Sequence, residues 1–127
     1  MVIVSTEPIN PSEAYGLIEK SRSGSVVLHY AVVKEDIGVG KATSCIDYRS
    51  EGDTKAELGI ISGELKEKWE IEDVLLIRRT GCLGVGDIIS LVAASSPNSE
   101  DAFEACKYGI SRLKKMATIK KQEMFHP

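Results

Sequence analysis

The sequence has little of what a membrane protein or a nucleic-acid-binding protein requires. Its longest apolar runs, such as Val26–Leu28 and Val74–Ile77, are far shorter than the roughly 20 residues with which a helix crosses a bilayer. The first residues lack a basic cluster and are interrupted by Glu7 and Pro8, unlike a secretory signal, so we predict no membrane span and a cytoplasmic location. Lys and Arg total 16 against 19 Asp and Glu, and this net charge of −3 provides no overall positive field for nucleic acid.

Cysteine and histidine are also scarce, and the common catalytic motifs are absent. Cys45, Cys82 and Cys106 are odd in number and widely separated, which fits neither a disulfide framework nor a zinc site, so we predict reduced thiols. We interpret His29 as a structural strand residue and His126 as part of a frayed terminus. Because the sequence contains no HExxH, CxxC, P-loop or GxSxG motif, we predict neither a metal site nor a bound cofactor.

The residues that are present have the balance of a globular domain. The chain has 127 residues, 43% of them apolar and 28% charged, which predicts a single domain over residues 1–127. Apolar positions at helical spacing follow two capping residues, Asp53 and Asn98, and predict two longer amphipathic helices. Between and around them lie strand-like segments without repeats. The predicted fold class is therefore α+β, with a mainly antiparallel sheet and two longer amphipathic helices.

Predicted strands and helices follow one another along the chain. The β-branched segment 26–33 predicts a buried strand, and the charged, glycine-containing segment 34–41 predicts an exposed loop. Segments 74–77 and 88–92 predict a hairpin joined through glycines. A further helix is predicted from the Asn10 cap to about Lys20, and further strands over 43–48 and 118–125. The first long helix runs to Trp69, and the residues on its apolar face are Ala56, Ile60, Ile61 and Leu65. The second long helix runs to about Met116, and the residues on its apolar face are Ala102, Phe103, Cys106, Ile110 and Leu113.

Four lysines, Lys114, Lys115, Lys120 and Lys121, surround the end of the last predicted helix. Cations there complement the negative end of the helix dipole, so a solvated structural face is the simpler interpretation from composition alone. The functional interpretation is that the helix end and the following strand converge, so that Lys114 and Lys121 line one pocket and bind phosphate or stabilise negative charge. Adjacent strand residues point to opposite faces, so Lys120 is a secondary candidate.

The segments around these lysines form a longer pattern. Residues 102–110 read AFEACKYGI, residues 112–114 read RLK, and residues 119–123 read IKKQE. This order resembles the large, catalytic subunit of molybdopterin synthase, the MoaE family. The similarity covers roughly residues 20–125 and includes upstream stretches at 24–27, 77–81, 86–87 and 92–96.

The resemblance implies an α/β-hammerhead-like domain and a sulfur-transfer reaction. The two functional lysines of the family correspond to Lys114, to which we assign the transfer role, and Lys121, to which we assign substrate orientation and charge stabilisation. Family members form a homodimer and, with a small ubiquitin-like sulfur carrier, a heterotetramer. The Gly-Gly tail of that carrier ends in a thiocarboxylate and enters the lysine pocket, and its sulfur passes to cyclic pyranopterin monophosphate to form the dithiolene of molybdopterin.

Several positions depart from the family pattern. Lys34 stands where family members carry an arginine, Asn98 and Ser99 stand where they carry His-Arg, and Lys120 replaces an aromatic residue. Lys34 keeps the charge but loses the bidentate fork that suits phosphate, whereas Asn98 and Ser99 can also act as helix caps. We retain all four as candidate substrate-binding residues. Arg78 and Arg79 end a predicted strand beside a glycine; either a solvated arginine pair or a contribution of one of them to anion binding fits this position, and we select Arg79 as the candidate.

Three functions remain open on this evidence. The first is the molybdopterin synthase catalytic subunit, a sulfurtransferase. The second is a non-catalytic member of the same family that retains partner or pterin binding, for which the substitutions at Lys34, Asn98 and Ser99 argue. The third is a general anion-binding or nucleic-acid-binding domain that uses the lysine cluster, against which the few aromatic residues and the acidic net charge argue.

Overall fold

Two β-sheets and three helices form the part of the chain that the structure describes. The computed structural model describes residues 1–35 and 43–125. His126 and most of the predicted loop over residues 34–41 lie outside the described residues.

A four-stranded sheet forms the centre of the fold. Its strands lie in the order β1 (Val2–Ser5), β4 (Asp73–Arg79), β6 (Ile88–Ser96) and β2 (Ser25–Val32). The β1 strand pairs with β4 in parallel, whereas the other two pairings are antiparallel. A three-stranded antiparallel sheet contains β5 (Gly81–Leu83), β3 (Thr43–Ser50) and β7 (Ile119–Phe125), in that order. The predicted α+β class with mainly antiparallel pairing is confirmed.

Helices cover both faces of the four-stranded sheet. The α1 helix (Pro11–Leu17) lies on one face, and α2 (Thr54–Lys68) and α3 (Ser99–Lys114) pack on the other. Along β4, Leu75 and Ile77 face α1, whereas Val74 and Leu76 face α2 and α3. Because both faces are covered, this strand has an uninterrupted apolar run in place of alternating polar and apolar residues.

The three predicted helix caps are confirmed. The side chains of Asn10, Asp53 and Asn98 each accept a hydrogen bond from a backbone N–H in the first turn of α1, α2 and α3, respectively. Such a cap satisfies one of the N–H groups that have no partner within the helix. The α1 helix ends at Leu17, three residues before the predicted end at Lys20.

The predicted apolar faces of the two long helices are only partly correct. Ile60 and Phe103, both predicted to pack, are 62% and 63% exposed, and Ala56 is also exposed. Leu58 is buried in their place on α2, and Gly109 is buried on α3. On α2, Leu58, Ile61 and Leu65 recur at helical spacing, so the buried face is turned away from Ala56 and Ile60. Gly109 was not predicted because a glycine adds no apolar side chain to such a pattern.

Two short strands were not predicted. The segments β4 and β6 do pair antiparallel, which confirms the predicted hairpin, but β5 lies between them and pairs with β3 in the other sheet. The β1 strand, for which no strand was predicted, forms an edge of the central sheet. Both strands are three or four residues long, so their local pattern carries little information without the strand they pair with.

The prediction of reduced thiols is wrong for two of the three cysteines. Cys45 on β3 and Cys82 on β5 form a disulfide across a sequence separation of 37 residues, with their Cα atoms 5.8 Å apart. Spacing along the sequence gives no information on this contact, because only the pairing of β3 with β5 brings the two residues together. Cys106 is a free, buried thiol, and burial raises its pKa to about 11.

Candidate functional site

A basic cavity of about 650 Å³ lies between the two sheets, at the C-terminal end of α3. Its walls come from β2, β3, β4, β6, α3 and β7 and include apolar side chains such as Ile46 and Val92. No Asp or Glu is among the described residues that line it. The residues able to carry positive charge that line it are His29, Lys34, Arg78, Lys114 and Lys121.

Lys114 and Lys121 line this same cavity. Lys114 is the last residue of α3, and Lys121 lies in β7 opposite Tyr48 of β3. Both lysines are exposed, so they lie where a ligand can reach them. Lys120 pairs with Arg49 and does not line the cavity, as expected from the alternation of side chains along a strand.

Glu57 of α2 fixes the turn that joins the two lysines. Its carboxylate accepts hydrogen bonds from the backbone N–H groups of Ala117 (2.8 Å) and Thr118 (3.0 Å) and from the Thr118 hydroxyl (2.6 Å). Burial acts to raise the pKa of Glu57, but these hydrogen bonds outweigh it and lower the pKa below its usual value. The path of the chain from α3 into β7, and therefore the spacing of Lys114 and Lys121, depends on this contact.

Arg78 lines the cavity, whereas we selected its neighbour Arg79 from the arginine pair in the sequence. It is 7% exposed, and its guanidinium carbon lies 4.7 Å from the centre of the Tyr48 ring. Its Nε has no hydrogen-bond partner among the described residues. Burial lowers the pKa of Arg78, although the nearby Tyr48 acts in the opposite direction. A buried cation with an unused donor faces this cavity.

Arg79, the arginine that we selected from the sequence, does not line the cavity. Its Nη1 lies 3.7 Å from a carboxylate oxygen of Asp87, and its Nε is also without a hydrogen-bond partner among the described residues. Arg78 shares the face of β4 on which Leu76 lies, and Arg79 follows on the other face. Because β4 is apolar on both faces, the sequence pattern alone could not indicate which arginine faces the cavity.

The other candidate residues are divided between the two ends of α3. Lys34 follows β2 and lines the cavity. Asn98 caps α3 by accepting a hydrogen bond from the Asp101 N–H at 2.9 Å, and Ser99 is the first residue of that helix. They lie at the end of the helix opposite Lys114, roughly 24 Å away at 1.5 Å per residue, and do not line the cavity of their own chain.

Two further properties of the described residues bear on the type of site. Within residues 1–35 and 43–125, no group of three or more His, Cys, Asp or Glu side chains could hold a metal ion. None of the helices in these segments is long and apolar enough to span a membrane. The functional groups that line the cavity include ammonium, guanidinium, imidazole, phenol and hydroxyl groups.

Together, the fold and the cavity define a class of protein: an α+β protein with a basic cavity that is lined by a lysine at a helix end and a lysine in the next strand. The chain belongs to the MoaE protein family, whose sequence model matches residues 4–116. The matched region includes Lys114 and Arg78 and ends before Lys121.

Curated relatives and solved structures agree with this family. The chain is 30% identical over 123 residues to the molybdopterin synthase catalytic subunit of Bacillus subtilis, which covers 96% of this chain and 78% of the relative. It is 31% identical to that of Staphylococcus aureus, with 96% and 82% covered. The crystal structure of molybdopterin synthase from Staphylococcus aureus superposes with a TM-score of 0.89 at 30% identity and covers 97% of this chain and 90% of that one.

More distant structures share the fold. A MoaE protein from Burkholderia ambifaria has a TM-score of 0.84 at 21% identity and covers 98% of this chain and 87% of that chain. A complex of subunits 1 and 2 of the molybdopterin-converting factor from Helicobacter pylori contains a chain that matches with a TM-score of 0.72 at 12% identity, with 98% and 85% covered. The arrangement of strands and helices is therefore retained where little of the sequence is.

Proposed function

We propose that this chain is the catalytic subunit of a molybdopterin synthase, a sulfurtransferase of molybdenum cofactor biosynthesis. It transfers sulfur from the C-terminal thiocarboxylate of a small ubiquitin-like subunit to cyclic pyranopterin monophosphate, and two transfers form the dithiolene. The observation that carries the proposal is that Lys114 and Lys121 line one cavity that has no acidic residue among its described lining. Membership of the MoaE family and the 30–31% identity to catalytic subunits support it.

The positive charges of the cavity suit both substrates. The thiocarboxylate and the phosphate are anions. Once its sulfur is bonded to the pterin, water adds to the acyl carbon and negative charge develops on the carbonyl oxygen; the acyl–sulfur bond then breaks, the sulfur stays on the pterin and the carrier leaves with a carboxylate. We assign the stabilisation of that charge and the associated proton transfer to Lys114, and the orientation of the pterin to Lys121. Apolar side chains also line the cavity, and a ligand that displaces water from them strengthens these electrostatic interactions.

We also propose the assembly that the family resemblance implies. The Helicobacter pylori relative was solved as a complex of two subunits of molybdopterin-converting factor, which supports a small sulfur-carrying partner for this chain. In this proposal two copies of the chain form a homodimer, each copy binds one partner, and the heterotetramer works in the cytoplasm. Residues 1–127 act as one domain.

The proposal is tested by reconstitution. The chain is mixed with a thiocarboxylated partner and the pterin precursor, and dithiolene formation is measured for the native chain, Lys114→Ala and Lys121→Ala. We expect each substitution to lower turnover by about 10²- to 10³-fold, the usual effect of removing one group that stabilises developing charge. Lys115→Ala is the matched control, because Lys115 is exposed beside Lys114 and does not line the cavity. Unchanged turnover in both cavity variants would remove the assigned roles.

A non-catalytic relative is the second candidate. Two observations favour it: Lys34 lines the cavity where the family pattern has an arginine, and Asn98 is occupied as a helix cap. In that case the chain binds the partner tail or the pterin without forming dithiolene. Partner binding by calorimetry, together with absent turnover in the native chain, would identify this alternative.

A further inference from the structure

Arg78 lies in an environment that is unusual for a cation. It is 93% buried, since 7% of its surface is exposed, and the structure records no salt bridge between it and a described carboxylate. A buried charge without an opposite charge is costly because it loses its hydration. The contact with the Tyr48 ring offsets part of this cost, by about 1–2 kcal/mol for a desolvated cation–π pair.

A hydrogen-bond donor of Arg78 that has no partner indicates which kind of ligand fits the cavity. Buried polar groups are nearly always hydrogen-bonded, so a buried donor without a partner requires an explanation. The Nε of Arg78 is such a donor, and the residue lines the basic cavity. An anionic ligand in the cavity would supply both the hydrogen-bond acceptor and the opposite charge.

We propose that Arg78 is the residue that holds the phosphate of the ligand in this cavity, with its guanidinium supported on the Tyr48 ring. The inference rests on the proposed function, which supplies a monophosphorylated ligand. A guanidinium forms paired hydrogen bonds to two phosphate oxygens, whereas an ammonium group acts as a point charge. Arg78 thereby provides the bidentate contact that Lys34 does not provide.

Burial separates this role from that of the lysines. Arg78 and Tyr48 are 7% and 6% exposed and form an inner wall, whereas Lys114 and Lys121 are exposed. A tail that belongs to a partner protein enters from the solvent side and reaches the lysines first. A small ligand can pass further inside, so its phosphate is the anion that Arg78 receives.

The test measures how inorganic phosphate changes the thermal unfolding of the full chain without a partner. At ten times its Kd, phosphate is expected to raise the Tm of the native chain by roughly 5 °C. Arg78→Gln should weaken the Kd for phosphate about 10- to 100-fold and remove most of the shift, and Arg78→Lys should have an intermediate effect. Arg49→Gln is the matched control, because it removes the same charge from an exposed position next to Tyr48 that does not line the cavity.

Each outcome decides the proposal. A shift of native size in Arg78→Gln, or no shift in the native chain, would overturn it. If Arg78→Gln does not fold, Arg78→Lys decides, and an unchanged Kd for phosphate in that variant counts against the role. Loss of partner binding in Arg78→Gln with an intact phosphate shift would assign Arg78 to the tail carboxylate instead.

A kinetic measurement separates this inference from the proposed function. In the reconstituted assay, Arg78→Gln should raise KM for the phosphorylated precursor at least about tenfold and lower kcat by a smaller factor. A phosphate shift that depends on Arg78 in a chain without sulfur-transfer activity would support the inference and reject the proposed function. Sulfur-transfer activity in a chain whose phosphate shift does not depend on Arg78 would reject the role of Arg78 and leave the proposed function in place.

Discussion

Gly109, the single glycine of α3, lies where this helix packs tightly against the four-stranded sheet and α2. A Cβ at this position would lie 2.9 Å from Cγ1 of Val92 and 3.3 Å from Cδ2 of Leu65. Val92 is β-branched and held in a central strand, so it cannot move aside easily. The absence of a side chain at Gly109 therefore sets how closely α3, and with it Lys114, lies against the sheet.

We predict that Gly109→Ala destabilises the protein. Overpacking typically costs about 1–3 kcal/mol, which exceeds the gain of about 1 kcal/mol in helix propensity. The matched control is Gly59→Ala on α2, where an added Cβ meets nothing within 4 Å and the same gain in propensity should raise stability. Urea unfolding of both variants measures the difference, and a stabilised Gly109→Ala would contradict the close packing.

At the scale of single residues, the features that could be predicted depend on residues that are close together in the sequence. The caps Asn10, Asp53 and Asn98 could be predicted because a cap acts within one turn of its own helix. The placement of Lys114 and Lys121 in one cavity agrees with the expectation from the family resemblance. The sequence did not distinguish Arg78 from Arg79 as the arginine that lines the cavity, because the burial of Arg78 and its contact with Tyr48 depend on how the two sheets meet.

At the scale of elements, the three-stranded sheet depends on a covalent link. The disulfide between Cys45 and Cys82 joins β3 to β5, and β5 has only three residues with which to pair. The opposite face of β3 carries Ile46 and Tyr48, which line the cavity. The link thus supports the sheet that forms one wall of the site.

We predict that reduction of this disulfide lowers stability by about 2–4 kcal/mol, the usual range for a closed loop of this length. Cys82 is exposed, so a reductant can reach it. The measurement is thermal unfolding of the native chain with and without dithiothreitol. The control is a Cys45→Ser/Cys82→Ser double variant, whose Tm should equal that of the reduced chain and should not change when dithiothreitol is added. Equal Tm values for all three samples would show that the link has no stabilising effect.

Helices and strands could be predicted where their apolar pattern extends over many residues, and the shortest strands could not be predicted. The β2 strand could be predicted from an eight-residue run rich in β-branched residues, and the two long helices from apolar positions at helical spacing after their caps. The β6 strand was predicted over residues 88–92 and extends to Ser96. The β5 strand is defined by its partner β3, and the pairing of Cys45 with Cys82 depends on the same long-range contact. Strand pairing across distant segments is set by the whole core, which a single sequence does not display.

Across the whole molecule, three carboxylates connect separate parts of the chain. Glu57 binds the turn before β7, Glu64 binds Arg112 of α3, and Glu72 binds the loop around Ser23. Hydrogen bonds to Arg112 and to Ser23 are the main causes that lower the pKa of Glu64 and of Glu72, and the pKa of Glu57 is lowered despite its burial.

We predict that the stability of the protein falls in acid, because the carboxylates Glu57, Glu64 and Glu72 become protonated and their hydrogen bonds weaken over the same pH range. A carboxyl whose pKa is lower in the folded than in the unfolded state contributes stability above its ordinary pKa near 4.5, and this contribution disappears as the pH falls through the folded value. The Tm should therefore change little between about pH 7 and 5.5 and decline below about pH 4.5. Scanning calorimetry from pH 7 to pH 3 measures this profile.

Glu57→Gln identifies the contribution of one connection. The variant should lose about 1 kcal/mol at neutral pH, because an amide accepts the three hydrogen bonds less well than a carboxylate, and its Tm should decline less steeply in acid. Glu67→Gln, at an exposed position of the same helix, should keep the native profile. A native acid profile in Glu57→Gln would exclude Glu57 as a source of the pH dependence.

The cavity is assembled from segments that are far apart in the chain, from His29 of β2 to Lys121 of β7. During synthesis on the ribosome, the residues that line it emerge over most of the length of the chain, and the wall is incomplete until β7 pairs with β3. A partly made chain therefore has an unfinished cavity, and any binding that uses all of its walls has to wait until the chain is almost complete.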